Sequence, residues 1–482
     1  MSGLLLVVAE GFLASLTYPS EPAGTLQNRA PIWKTAQDSR SPGAGLQGKF
    51  SSQNNRFSPT VESSICPADQ PDGTTDNSAC VQSMVDAACH AGNHRGGGLV
   101  FLWPGHWRFH DITVHCDGVH IKGAGVGNDS LATNAQSTAV DCSAMTNHCI
   151  QFVPAHFPAQ FKIRGGSVEG IRFYNHGGIG TVLDFNQVAN GYVRDVTMWE
   201  PPNGIRIFGS YGISLRDIQQ DGVRGTAYEI TGDDTGRRSN GDHCTLGDCS
   251  TRTDWVIMDN LTGSGFSTNT FIYIHDMAFT IYGHAVQQEN GGAGIKVRCA
   301  PGRPDISWCP QQILMNGFNV EYAIAPVDLQ DFTYFRCVTC YLAGNSVETK
   351  SVVLATLQNY TQQGGGGGGL TIVDSEIYGA NDSCVWLDVT DTTIIGTQIN
   401  GCNGRNADAA GVEYHGGTQH HISDTTFCTL IGANVRAMSG ILVDRGASKI
   451  AITAPMYYGC TSGLVNHSAS SETVTTLNAQ GP

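Results

Sequence analysis

Three stretches of this chain fall into columns when stacked: "SVEGIRFYN" (167–175), "YVRDVTMWE" (192–200) and "SLRDIQQD" (214–221). Val168, Val193 and Leu215 share one column and Ile171, Val196 and Ile218 another, at offsets of 25 and 22 residues. Later stretches of the same kind are "IYIHDMAFTIYG" (272–283), "LTIVDSEIYGA" (370–380) and "TTIIGTQINGC" (392–402). Alternating apolar positions between Gly, Asn or Asp corners, repeating every 20 to 25 residues or so, predict a solenoid. One coil cannot bury its inward face alone. Coils therefore stack strand on strand in parallel, with equivalent residues about 4.8 Å apart.

Composition agrees. With 60 glycines among 482 residues and only 14% charged residues, the chain suits many short strands and tight turns better than helices. One helix is expected, in "PDGTTDNSACVQSMVDAACHAG": Val81, Met84, Val85 and Ala88 recur at i, i+3, i+4 and i+7, with Asp76 or Ser78 as the N-cap. The 42 acidic and 27 basic residues give a net charge of -15, which argues against general affinity for nucleic acid or anionic lipid. No stretch reaches transmembrane length, so membrane insertion is not expected.

The 16 cysteines include close pairs: Cys142 with Cys149, Cys244 with Cys249, Cys299 with Cys309, and Cys337 with Cys340. Such usage predicts disulfides and an oxidising compartment, with roughly a third of the cysteines remaining as buried thiols on stacked strands. Cys337-Val-Thr-Cys340 lacks a second CxxC or a βαβ context and reads as structural. "MSGLLLVVAEGFLASLTYP" has no basic n-region and is interrupted by Glu10, so it makes a poor secretory signal. The polar, Gly-, Pro- and Ser-rich stretch that follows predicts a flexible leader or attachment segment over residues 1–60, with the strand-rich domain over 61–482.

The opening of that domain, "DGTTDNSACVQSMVDAACHAG", then "GGGLVFLWPGHWRF", then "VHIKGAGVG", resembles the pectate-lyase-like superfamily, which includes glycosyl-hydrolase-28-related proteins, pectate lyases and phage tailspikes. The specific match covers about residues 69–127, and the looser repeat runs on to about residue 460. The resemblance implies an all-β, right-handed parallel β-helix with a short N-terminal capping helix. It also implies an extracellular or virion-associated location and a polysaccharide substrate. Tailspike relatives are homotrimers, so homotrimeric assembly stays open. Gly96 to Gly98 then serve entry into the first coil, and Trp103-Pro104-Gly105 its corner. "GAGVGN" (123–128) is read as a coil corner, because no helix follows to make a dinucleotide loop.

Chemistry must come from side chains that face outward. Enzymes of this fold that cut glycans use carboxylates on neighbouring coils, one to protonate the leaving oxygen and one to activate water or attack the sugar. The alignment places Asn175, Glu200 and Asp221 in one column at a strand end, beside Tyr174, Trp199 and Gln220. Glu200 and Asp221 are thus the first catalytic candidates, with Trp199 and Tyr174 as sugar platforms. Corners favour Asp and Asn in any case, so solvated corner acids are the alternative. Asp195 and Asp217, each after an Arg, read as surface ion pairs.

A second cluster, "EITGDDTGRRSNGDHC" (229–244), interrupts the repeat and adds Asp233 and Asp234 as catalytic candidates in a groove wall; a polar loop closed by Cys244 and Cys249 is the alternative. Asp233-Asp234, Gly283-His284 and Ile295-Lys296 follow the order of polygalacturonase motifs. However, Asn-Thr-Asp is missing, Ala285 follows His284, and Gly294 stands in place of Arg. His176, Arg206 and Arg224 lie near the Glu200 column as substrate-binding candidates, and would serve a lyase acting by β-elimination. Calcium enters as a cofactor only in that case, and no metal-ligand spacing is present. Gly364 to Gly369 read as a mobile loop between coils. The function expected is a glycoside hydrolase acting on polysaccharide, with a lyase or a non-catalytic glycan-binding adhesin or spike as alternatives.

Overall fold

The computed structural model describes residues 60–62, 72–90, 97–127, 136–155, 162–233, 251–266, 268–301, 306–345, 348–359, 368–402, 409–428, 439–468 and 474–477. Strands dominate, every pairing between them is parallel, and the described residues hold one α-helix, Ser78–His90. The expected leader over 1–60 lies almost wholly outside the described residues. A short strand, Thr60–Glu62, straddles its expected end and pairs with Leu99–Phe101.

Parallel pairing joins residues about one repeat apart and produces three ladders. Val168, Val193 and Leu215 are register partners, as are Ile171, Val196 and Ile218, which matches the sequence columns. The first ladder runs from Leu99–Phe101 through 167–169, 192–194 and 214–216 to 257–259 and 282–284. The second runs through 171–174, 196–199, 218–220 and 261–263. The third runs through His148–Phe152, Thr181–Asn186, Asn203–Phe208, Thr226–Gly232 and Thr270–Asp276. The stretch 272–283 crosses from the third ladder into the first and so is out of phase with the other copies.

A single residue bends each strand from the first ladder into the second. Asp195, Asp217, Asn260, Asp374 and Asp424 hold φ of 51, 51, 53, 48 and 48°, in the left-handed region that Asp and Asn tolerate best among residues with a Cβ. Asp195 and Asp217 thus serve first as backbone corners. The ion pairs expected of them are also there: Arg194 and Arg216 each lie 3.4 Å from the following carboxylate.

Inward side chains stack down the centre. Leu183, Ile205, Tyr228, Ile272, Ile295, Val327 and Val353 follow one another on the third ladder with 1% exposure or less. Each such aliphatic side chain contributes about 1.5–3 kcal/mol by leaving water. The helix covers the start of this core with Val81, Met84, Val85 and Ala88, and the Asp76 carboxylate accepts a hydrogen bond from the Ser78 amide. Gly98 lets the incoming strand pass close by: a Cβ there would stand 2.8 Å from Ala88 Cβ.

Cys142–Cys149, Cys299–Cys309 and Cys337–Cys340 are bonded as expected, and Cys89–Cys116, Cys384–Cys402 and Cys428–Cys460 join them. No described cysteine is a free thiol, so the expected buried thiols are absent there. Cys244 and Cys249 lie outside the described residues. Part of the glycine run is strand rather than loop: Gly368 and Gly369 open Gly368–Val373, where a Cβ on Gly368 would meet the Thr390 carbonyl at 2.5 Å. Among the described residues no helix is long and apolar enough to cross a membrane.

Candidate active site

On the second ladder, alternate side chains point away from the core and line an open groove with a cavity volume of about 310 Å³. Its walls are Arg172, Tyr174, Thr197, Met198, Trp199, Gln219 and Asp221. Trp199 is 48% exposed and offers an aromatic face to solvent, whereas Tyr174 is largely buried and contributes an edge. Arg172 donates to the Tyr174 hydroxyl at 3.1 Å and to the Gly127 carbonyl at 2.8 Å, which fixes that end of the groove.

Register corrects the sequence alignment by one position. Trp199 pairs with Tyr174 on one side and with Asp221 on the other, while the Glu200 amide donates to the Asp221 carbonyl at 2.8 Å. Asp221 therefore shares a column with Trp199, and Glu200 sits at the corner beyond, at φ 50°. Gln220, expected beside the groove, points inward, is fully buried, and donates to the Ala227 carbonyl. Because strand side chains alternate, a slip of one residue moves a group to the opposite face.

Asp221 accepts from Gln219 Nε2 at 2.5 Å and from Ser264 Oγ at 3.3 Å. The same amide-to-carboxylate bond recurs further along the face, from Gln287 to Glu289 at 3.1 Å and from Asn319 to Glu321 at 3.3 Å. The face is thus a stripe of oxygen acceptors and amides. His176 Nδ1 lies 3.0 Å from Glu200 Oε2, so those two expected site residues do meet. Arg224 is occupied elsewhere, bonding the Asn175 and Gly178 carbonyls at 3.4 and 3.2 Å, and holds the neighbouring corner.

Arg206 pairs with neither Glu200 nor its partner His176, but with Asp184 and Glu229. It stands on the outer face of the third ladder, in a row that the sequence reading missed: Gln151, Asp184, Arg206, Glu229 and Tyr273 in successive register. Its guanidinium lies 3.8 Å from Asp184 and 3.8 Å from Glu229, over the Phe208 ring at 5.2 Å. Burial pushes the Asp184 carboxyl up, against the pull of Arg206 and a 2.7 Å bond from Gln151. Burial also acts to raise Glu229, but the bond from His275 and the Arg206 charge outweigh it and hold this carboxyl below its usual range. His275 is raised: burial opposes its charge, and bonds to Asp276 at 2.8 Å and Glu229 at 3.0 Å prevail. The repeat itself was the missed signal, since Asp184, Arg206 and Glu229 are spaced by 22 and 23 residues.

Asp233 directly follows the strand Thr226–Gly232, its amide donating to the Thr251 carbonyl, and Asp234 lies outside the described residues. The polygalacturonase-like residues do not converge. His284 pairs with Asp259 on the first ladder, and Lys296 lies over the Tyr273 ring on the third. No group of three or more His, Cys, Asp or Glu side chains suited to a metal ion occurs among the described residues.

Solved structures with this arrangement are right-handed parallel β-helix proteins of the pectate-lyase-like superfamily. Tailspike protein 3 of bacteriophage CBA120 is similar with a TM-score of 0.60 and 12% identity, over 93% of this chain and 65% of that one. DFA-IIIase from Arthrobacter chlorophenolicus A6, without its lid, gives 0.56 and 11%, over 88% of this chain and 100% of that one. The A-module of an Azotobacter vinelandii mannuronan C-5 epimerase gives 0.47 and 14%, over 88% and 100%. No family model matches the chain, and no curated protein matches it. At 11–12% identity the tailspike and DFA-IIIase likenesses are ones of fold, and they bear out the resemblance read from the opening sequence at that level.

Proposed function

We propose that this protein is an extracellular or virion-associated enzyme that hydrolyses a polysaccharide, built on a right-handed parallel β-helix. The observation that carries the reading is Trp199, half-exposed and in register between Tyr174 and Asp221 along a groove of acceptors and amides. An aromatic face takes the apolar side of a sugar ring, and carboxylates and amides take its hydroxyls. Asp221 in the groove and Glu200 at the corner beyond it are the carboxylate pair for acid and base. The disulfides fit an oxidising compartment, and the fold is one shared with carbohydrate enzymes and a tailspike.

The test is a screen of purified protein against plant, algal and bacterial polysaccharides, following new reducing ends and absorbance near 235 nm. Reducing ends without absorbance support hydrolysis; absorbance replaces it with β-elimination. The tailspike likeness favours one second reading, a glycan-binding spike without turnover. Binding with silence on both channels would establish that instead.

A further inference from the structure

Beyond Asp221 the outward column that holds Trp199 continues along the second ladder. The Ser264 hydroxyl donates to Asp221 at 3.3 Å, Ser264 pairs with Glu289, and Glu289 pairs with Glu321. Gln288 and Val320, one position earlier on each strand, are fully buried, so Glu289 and Glu321 point out on the groove side. The row from Trp199 through Asp221, Ser264 and Glu289 to Glu321 spans about 19 Å, room for about four sugar rings.

This row differs in charge from the other two faces. On the first ladder Glu169 lies between Lys122 at 3.1 Å and Arg194 at 2.7 Å, and Asp259 between Arg216 at 3.5 Å and His284 at 2.9 Å. On the third ladder Arg206 stands between Asp184 and Glu229, and Arg298 pairs with Asp328. Among the described residues no cation forms an ion pair with Asp221, Glu289 or Glu321, whose partners are Gln219, Ser264, Gln287 and Asn319. Glu289 and Glu321 are direct register partners, and like charges so placed destabilise a sheet. Arg172 directs its donors to Thr197, Tyr174 and Gly127 at the far end of the groove.

We propose that Glu289 and Glu321 set the substrate class of the Trp199 groove, and that the class is a polysaccharide carrying free amines. The inference rests on the reading of that groove as the site of a polysaccharide hydrolase, and it names the kind of sugar. A glycan laid on the indole and running along the ladder brings its later rings over the two carboxylates. The amide bonds to both fall on Oε1, leaving Oε2 to a ligand. A protonated amine donates charge-assisted hydrogen bonds there and relieves the repulsion between the pair. The hydroxyls of a neutral ring also find acceptors, but they leave the charge in place. A uronate meets like charge, so the same row disfavours the acidic glycans on which β-elimination acts.

The test measures Kd for hexamers of glucosamine and of galactosamine, each as free amine and N-acetylated, and for hexamers of galacturonate and mannuronate. Titrations run at about pH 5.5, where amines are protonated and ordinary carboxylates ionised, and at physiological salt, which screens charges beyond about 8 Å. The expected result is that at least one free-amine hexamer binds about tenfold or more tighter than its N-acetylated form. That ratio should fall to within about threefold in the double variant Glu289→Gln and Glu321→Gln. It should persist in Asp391→Asn with Asp424→Asn, which removes the same charge from exposed corners outside the row. A ratio near one in the unmodified protein, a ratio that survives in the glutamate variant, or no binding of any free-amine hexamer overturns the inference; so does tightest binding of a uronate. Reducing ends followed on the same panel separate the two readings. Cleavage of a uronate hexamer leaves the hydrolase standing while the amine preference falls, and an amine preference without cleavage does the reverse.

Discussion

Trp199 and Asp221 are direct register partners on neighbouring strands of the second ladder, with their side chains on the same outward face. A sugar ring laid on the indole therefore meets the Asp221 carboxylate at its edge, one strand spacing of about 4.8 Å away. The pairing makes the groove a platform with an acceptor rather than two separate surface residues.

Replacing Trp199 by Ala should raise KM for a cleaved polysaccharide, or Kd for a bound one, by about tenfold or more. Stability should change little, since nearly half of the side chain is already in water. Thermal unfolding and saturation kinetics on the same preparation check both halves. A loss of Tm with unchanged KM would make Trp199 a packing residue.

At the corners, Asp195→Gly should leave stability within about 0.5 kcal/mol of the original, because Gly takes the φ of 51° without strain. Asp195→Val should cost about 1–3 kcal/mol, since a β-branched residue resists that conformation. Urea unfolding of the two variants separates a backbone role from the Arg194 ion pair. If the ion pair dominated, both substitutions would cost alike.

Gly98→Ala should destabilise by about 1–3 kcal/mol, because the new methyl would stand 2.8 Å from Ala88 Cβ and push the helix off the first strands. Denaturant titration checks it. The double change with Ala88→Gly should recover little, because the residue-88 Cα and carbonyl would still stand 2.9 and 3.1 Å from the new methyl.

How far such positions were legible in the sequence depends on which link of the chain they occupy. Period and inward columns were readable, because Val168, Val193 and Leu215 must stack to be buried. The helix was readable for the same reason. Outward groups carry no burial pattern, so the terminal acid of each copy was aligned by likeness and Asp221 slipped by one position. Arg206, Asp184 and Glu229 have no motif at all; only the same repeat, counted along the third ladder, brings them together. Asp195 and Asp217 looked electrostatic from their Arg neighbours, whereas their first role is a backbone conformation that sequence spacing does not display.

His420 ties stability to pH. It is 2% exposed, stacks obliquely on Tyr414 at 4.5 Å, and shares a 2.9 Å hydrogen bond with Thr392, while Nε2 has no partner. Burial lowers its pKa from the ordinary 6.5 to about 4. Below pH 6.5 the unfolded chain binds a proton that the folded one refuses, so this stabilisation is present above about 6.5 and is lost as pH falls towards 4. The loss is on the order of 3 kcal/mol over that window. His420→Gln removes the titration. Urea unfolding at several pH values should show the variant's deficit at pH 7 shrinking by that amount by pH 4; a deficit constant with pH would mean that His420 folds without excluding its proton.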